Sequence, residues 1–183
     1  MTLKRGFKSA AERQALQLRT ELGLRPTDPL DIDQLAKHLG VTVVSADELI
    51  DVARLEELER IQAFAFSACT FNIDNRHIIV VNPLRVPGRR TSDIAHELAH
   101  VLLSHQLSEV VIINDTPFRT CRPDQEEEAT ALGGTILLPR PLLLKAAKSG
   151  DSIADIAKNA GVTDEMARYR FNTTGVGRQA ARQ

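Results

Sequence analysis

Two histidines and a glutamate define the chemistry open to this chain. In the stretch TSDIAHELAHVLL, Thr91 to Leu103, His96 and His100 stand four residues apart and Glu97 follows the first of them. On a helix that spacing puts both imidazoles on one face about a turn apart, where they can share a divalent metal ion. Glu97 stands beside them, where a carboxylate can take a proton from an attacking water. The run is apolar at Ile94, Leu98, Val101 and Leu102, so the helix belongs in a core. Burying two imidazoles and a carboxylate there costs free energy unless a metal and hydrogen bonds satisfy them.

Two histidines need at least one further protein ligand, and DQEEEATALGGTILLP, Asp124 to Pro139, is the richest source. It reads as a helix ending before Pro139, so its three glutamates point in different directions. Winding at about 100° per residue aligns Glu126 with Ala129, Thr130, Gly133 and Leu137, a small and apolar face, and turns Glu128 to the opposite side. Glu126 is therefore the expected third ligand. Two glycines inside a helix cost about 1 kcal/mol each relative to alanine, so Gly133 and Gly134 point to close helix packing. His105, five residues beyond His100, would lie about 140° around a continuing helix and is not expected to be a ligand.

The elements that must position these groups can be read in order. At 183 residues the chain can hold one domain with a substantial core, and 43% hydrophobic with 26% charged residues is ordinary for a globular protein. A net charge of −1 gives no basic field for nucleic acid. No apolar run is long enough to cross a bilayer and the start lacks a secretory signal pattern, so the expected location is cytoplasmic. Cys69 and Cys121 are too few for a disulfide framework, and Cys121 is only a weak thiolate candidate for the metal.

Ser9 to Leu22 predicts a first helix, stopped by Gly23, and a second helix follows Asp31, which with Gln34 resembles a capping pair. Val41 to Val44 predicts a short strand, and Ala46 to Arg60 an acidic helix or loop. Ala63 to Ile73 and His77 to Val81 flank Asp74-Asn75-Arg76, which predicts a β-hairpin. Pro83, Pro87 and Gly88 break the pattern before the histidine helix, for which Ser92 is the candidate N-cap. A sheet edge close to that helix can hold an extended peptide over the metal. Leu107 to Ile113 is open between a strand and a loop. His38 and His77 are expected to be structural or surface residues.

The run HELAHVLL, followed by E-x-x-A-x-x-x-G-x-x-x-L-L-P from Glu126 to Pro139, resembles the ImmA/IrrE family of intracellular metallopeptidases. The likeness extends to LGL from Leu22, DIDQLAKHLGV from Asp31 and GVTDEMARYRF from Gly161, and so covers nearly the whole chain. Thr130 stands where the family often has Asn or Asp, and Leu132-Gly133 where Phe-Ala is common. The resemblance implies an α+β, zincin-like fold, mostly helical, with a small antiparallel sheet beside the metal helix. It also implies His96, His100 and Glu126 as zinc ligands, with manganese as an alternative ion, and Glu97 as the catalytic acid and base. Family members act on helix-turn-helix repressors, or pair with such regulators.

Ile153 to Lys158 and Asp164 to Phe171 predict two helices that superficially resemble a helix-turn-helix. Their mixed charges give no basic recognition face, so direct nucleic-acid binding is not expected. The expected organisation is a metallopeptidase domain over 1–145, a helical lobe closing the cleft over 146–175 and a flexible tail over 176–183. Tyr169, the chain's only tyrosine, and Arg170 are candidate donors to the oxyanion of peptide hydrolysis. The expected function is a zinc endopeptidase cleaving a helix-turn-helix repressor in stress response or mobile-element control. The alternative is a regulator that binds such a partner without cutting it.

Overall fold

The structure is a computed structural model that describes residues 3–63, 66–106, 110–113, 116–119 and 122–181. Cys121, the weak thiolate candidate, lies outside the described residues. The chain opens with α1 (Phe7–Glu21), which buries Ala11, Ala15 and Leu18 at helical spacing. Next comes α2 (Ile32–His38), whose N-cap Asp31 accepts from the amides of Asp33 and Gln34.

A three-stranded sheet follows, formed by β1 (Thr42–Ser45), β2 (Ala68–Ile73) and β3 (Arg76–Val81). A 3-10 turn (Ala46–Glu48) and α3 (Val52–Ile61) separate β1 from β2. The β2–β3 hairpin closes through Asp74 and Asn75 at φ 50° and 61°, the left-handed pair that matches strand twist in a two-residue loop. The sheet is mixed, whereas the sequence predicted an antiparallel one: β3 is central, antiparallel to β2 and parallel to β1. The connection from β1 through α3 supplies the length a parallel crossover needs, and local patterning carries no trace of that pairing. A second, two-stranded antiparallel sheet joins β4 (Val110–Ile113) and β5 (Thr116–Arg119).

The histidine helix is α4 (Pro87–Leu102), and it begins five residues before the expected cap. Pro87 takes the first helical position, where a missing amide hydrogen costs nothing and the fixed φ suits the helix. Ser92 lies inside the helix and returns its hydroxyl to the Gly88 carbonyl at 3.0 Å. Helix α5 (Pro123–Leu137) packs along α4 at very short range. A Cβ on Gly133 would sit 2.8 Å from the Ala95 carbonyl oxygen, so only glycine lets the two backbones approach this closely. The neighbouring Gly134 faces the other way, toward Met166 and Arg170.

Beyond α5 the chain makes α6 (Arg140–Ser149), α7 (Ile153–Ala160), α8 (Asp164–Thr174) and α9 (Val176–Ala180). Ser152 and Thr163 cap the starts of α7 and α8 with their hydroxyls. Where the sequence predicted a flexible tail after Gly175, residues 176–180 are helical and Val176 is fully buried. Residue 145, the expected domain boundary, falls within α6, and one apolar core runs from Ala11 through Leu98 and Leu132 to Val176. Among the described residues no helix is long and apolar enough to cross a membrane.

Arg19 of α1 is fully buried and donates to the carbonyls of Ile136, at 2.6 Å, and Leu137, at 3.1 Å. These are last-turn carbonyls of α5, left without partners inside their own helix, and a cation there also suits the helix dipole. Burial lowers the Arg19 pKa to about 10, which still leaves it charged at neutral pH.

Candidate metal centre

α4 and α5 bring three donor groups to one point. His96 and His100 present their Nε2 atoms 3.0 Å apart, and Glu126 on α5 places Oε2 3.0 Å from His96 Nε2 and Oε1 3.6 Å from His100 Nε2. A metal-ligating atom from each of the three lies within 4.8 Å of the others. Hydrogen bonding to His100 and then to His96 holds the Glu126 carboxyl far below the usual carboxylate range, so it is ionised at neutral pH. The close approach at Gly133 makes the geometry accessible, because it lets a carboxylate from α5 reach the histidine face of α4.

Glu97 is 6% exposed and turns toward the sheet, where the Thr70 hydroxyl donates to its Oε2 at 2.5 Å. Thr70 is the one buried position of β2, an edge strand of the three-stranded sheet. A cavity of about 350 Å³ opens beside these groups, lined by His96, Glu97, Thr130, Asp93 and, from the segment entering β2, Ser67 and Ala68. Asp93 takes one ion pair from Arg89 at 2.9 Å, and its other oxygen is buried without a hydrogen-bond partner. Burial raises the Asp93 pKa above the usual carboxylate value, with Arg89 opposing.

Each histidine also has a neighbour at its remaining ring nitrogen. The Thr130 hydroxyl lies 3.4 Å from His96 Nδ1. His105 Nδ1 lies 3.0 Å from His100 Nδ1, and His105 Nε2 lies 3.2 Å from Glu128 Oε2. The helical angle that set His105 aside does not apply, because the helix ends at Leu102 and Ser104 at φ 52° turns the chain back. Burial lowers the His105 pKa, and Glu128 opposes the shift.

The structure does not bring Tyr169 to this point. Tyr169 lines a separate cavity of about 270 Å³ with Lys8, Arg140 and Thr135, and that cavity shares no lining residue with the one beside Glu97. Arg170 is committed elsewhere too, donating to Glu12 at 2.8 Å and to the Leu138 carbonyl at 3.1 and 3.2 Å. A helical register locates a residue on its own helix, and here α8 turns these two away from the histidines. His38 is a surface residue that meets Glu21 at 3.1 Å.

Thr70, His105 and Glu128 are the neighbours that sequence reasoning missed. Thr70 carried one usable signal, a polar residue at an inward position of a strand close to the histidine helix. Glu128 is explained locally as an acidic first-turn residue, so nothing in the sequence singled it out.

Similarity to known proteins agrees with this geometry. Residues 36–172 match the model of peptidase family M78, described as the IrrE N-terminal-like domain. No curated protein matches the sequence. Among solved structures the chain resembles a Mycobacterium tuberculosis transcriptional regulator, with a TM-score of 0.56 and 22% identity over 92% of this chain. That likeness is one of fold, and the matched part is 47% of the regulator's length, so this chain spans about half of it. With the family pattern covering most of the chain and its histidine and glutamate positions converging in space, the protein belongs to the ImmA/IrrE family of metallopeptidases.

Proposed function

We propose that the protein is a zinc-dependent endopeptidase whose ligands are His96, His100 and Glu126 and whose general base and acid is Glu97. The observation that carries this reading is the convergence of three lone-pair donors beside a buried, hydrogen-bonded carboxylate at the wall of a cavity. The donor set fits the ion. Zinc held tetrahedrally at about 2.0–2.2 Å needs ligand atoms roughly 3.3 Å apart. The two imidazole nitrogens stand 3.0 Å apart, each has a different Glu126 oxygen within 3.6 Å, and one atom from each of the three residues lies within 4.8 Å of the others. Two imidazoles and one carboxylate also leave a coordination position open, as catalytic rather than structural zinc requires. Manganese is the alternative ion.

When bound, the metal supplies Lewis acidity toward water and the peptide carbonyl. The chain's own groups do the rest. Glu97 accepts the proton of the attacking water and returns it to the leaving amine, and Thr70 holds the carboxylate in the orientation both transfers require. The position of β2 at the edge of the three-stranded sheet, beside the cavity, suits an extended peptide laid along it. The substrate in this reading is a helix-turn-helix repressor, met in the cytoplasm.

A second reading keeps the same fold but no cleavage: a regulator that holds a helix-turn-helix partner. Its support is the fold shared with a transcriptional regulator. Incubation with a helix-turn-helix repressor and one equivalent of zinc separates the two. Fragments from the wild type and none from Glu97→Gln support the peptidase; a stable complex with an intact partner supports the regulator. Absence of zinc binding by the wild type ends the metallopeptidase reading.

A further inference from the structure

We propose that His105 and Glu128 form a positioning relay that fixes the tautomer of His100 and thereby commits its Nε2 to the metal. The inference rests on the metal-site reading above and extends it to two residues outside the ligand set.

His100 Nδ1 and His105 Nδ1 face each other at 3.0 Å, so one carries the hydrogen and the other accepts it. Two directions are open. In the first, His100 Nδ1–H donates to His105 Nδ1, His105 carries its own hydrogen on Nε2, and that hydrogen meets the Glu128 carboxylate 3.2 Å away. Each N–H then has an acceptor, and His100 Nε2 is left with a lone pair toward His96 and Glu126. In the second direction His105 donates to His100. Its Nε2 lone pair then faces the Glu128 carboxylate, and the hydrogen on His100 moves to Nε2, where a metal would have to displace it.

The carboxylate selects the first direction. Glu128 is itself held in place, with its side chain 12% exposed and its other oxygen paired with Lys4 at 3.1 Å. The His105 side chain is 5% exposed, so water has little access to replace either partner. Among the described residues His96 has only the long contact to the Thr130 hydroxyl at 3.4 Å on its far side. His100 is therefore the better oriented of the two histidines. A ligating histidine whose second nitrogen is anchored in this way binds metal about 10- to 100-fold more tightly than one without the anchor.

The test uses zinc alone, in competition with a chromophoric chelator, on the metal-stripped full chain. His105→Leu keeps the packing volume and removes both hydrogen-bonding nitrogens, and a loss of about 10- to 100-fold in zinc affinity is expected. His105→Asn keeps an acceptor for His100 at the Nδ1 position without the reach to Glu128, and it should recover part of that loss. A melting curve of each metal-free variant separates a lost relay from a lost fold. Nitrogen-15 NMR of the imidazoles in the metal-free wild type provides the second measurement, with His100 expected as the Nδ1–H tautomer. Equal zinc affinity in wild type and His105→Leu overturns the relay and leaves the metal site standing, as does an Nε2–H tautomer at His100. A wild type that binds no zinc overturns the metal site and the relay with it.

Discussion

Two cavities lie on opposite faces of the same pair of helices, α5 and α8, and they treat polar side chains in opposite ways. The first is lined by Thr130, Gly133 and Met166 and adjoins His96 and Glu97. The second is lined by Ala131, Thr135, Tyr169 and Arg170. In the second the two arginines are spent on structure. Arg170 is used up by Glu12 and the Leu138 carbonyl, and Arg140 bonds the Thr174 carbonyl and Gln179. Beside the first, two imidazole nitrogens and a carboxylate converge, and Arg89 in its lining is paired with Asp93 rather than with that cluster. Density of polar residues does not mark a reactive site. What marks it is acceptor capacity that the fold concentrates and leaves unspent, because such a cluster gains most from an incoming cation.

The contrast is breakable by substitution. Glu97→Gln should lower peptide cleavage by about 10²- to 10⁴-fold while zinc stoichiometry stays at one per chain, read by metal analysis beside a cleavage assay. On the other side of α5, Arg170→Met should change zinc affinity by no more than a few-fold and cost roughly 3 kcal/mol of stability in urea unfolding, because Glu12 and the Leu138 carbonyl lose the guanidinium. Thr70→Val removes one hydrogen bond to a charged group. A fall in turnover of about 10-fold with unaltered zinc binding is expected, and Thr70→Ser should restore it. Tyr169→Phe should change neither turnover nor melting temperature measurably, since the residue is 40% exposed and lines the cavity away from the histidines. A drop in turnover for that variant would erase the distinction between the two cavities.

How far the sequence led depended on whether a feature was local. The histidine pair, the glycine-marked approach of α5 and the Asp74-Asn75 hairpin follow from spacing and backbone preference, and the convergence of His96, His100 and Glu126 was legible from them. Features set by distant packing were not. The parallel pairing of β1 with β3 joins segments with a whole helix between them. Helix α6 was not legible because Pro139 reads only as the end of the helix before it, yet Pro139 and Pro141 stand at the N-cap and in the first turn of α6, where proline is tolerated. The placement of Tyr169 needed the angle between α8 and α5. The return of His105 needed the single left-handed residue Ser104.

Helix α1 carries a different kind of consequence. It lies outside the segment 36–172 that matches the family pattern, yet Arg19 secures the end of the helix whose other end bears Glu126, and Glu12 secures Arg170. What is inherited as a recognisable sequence is thus smaller than what stands as one mechanical body. Glu126 sits on a lever anchored from beyond the pattern, so changes in α1 can adjust the grip on a metal while every signature residue remains in place.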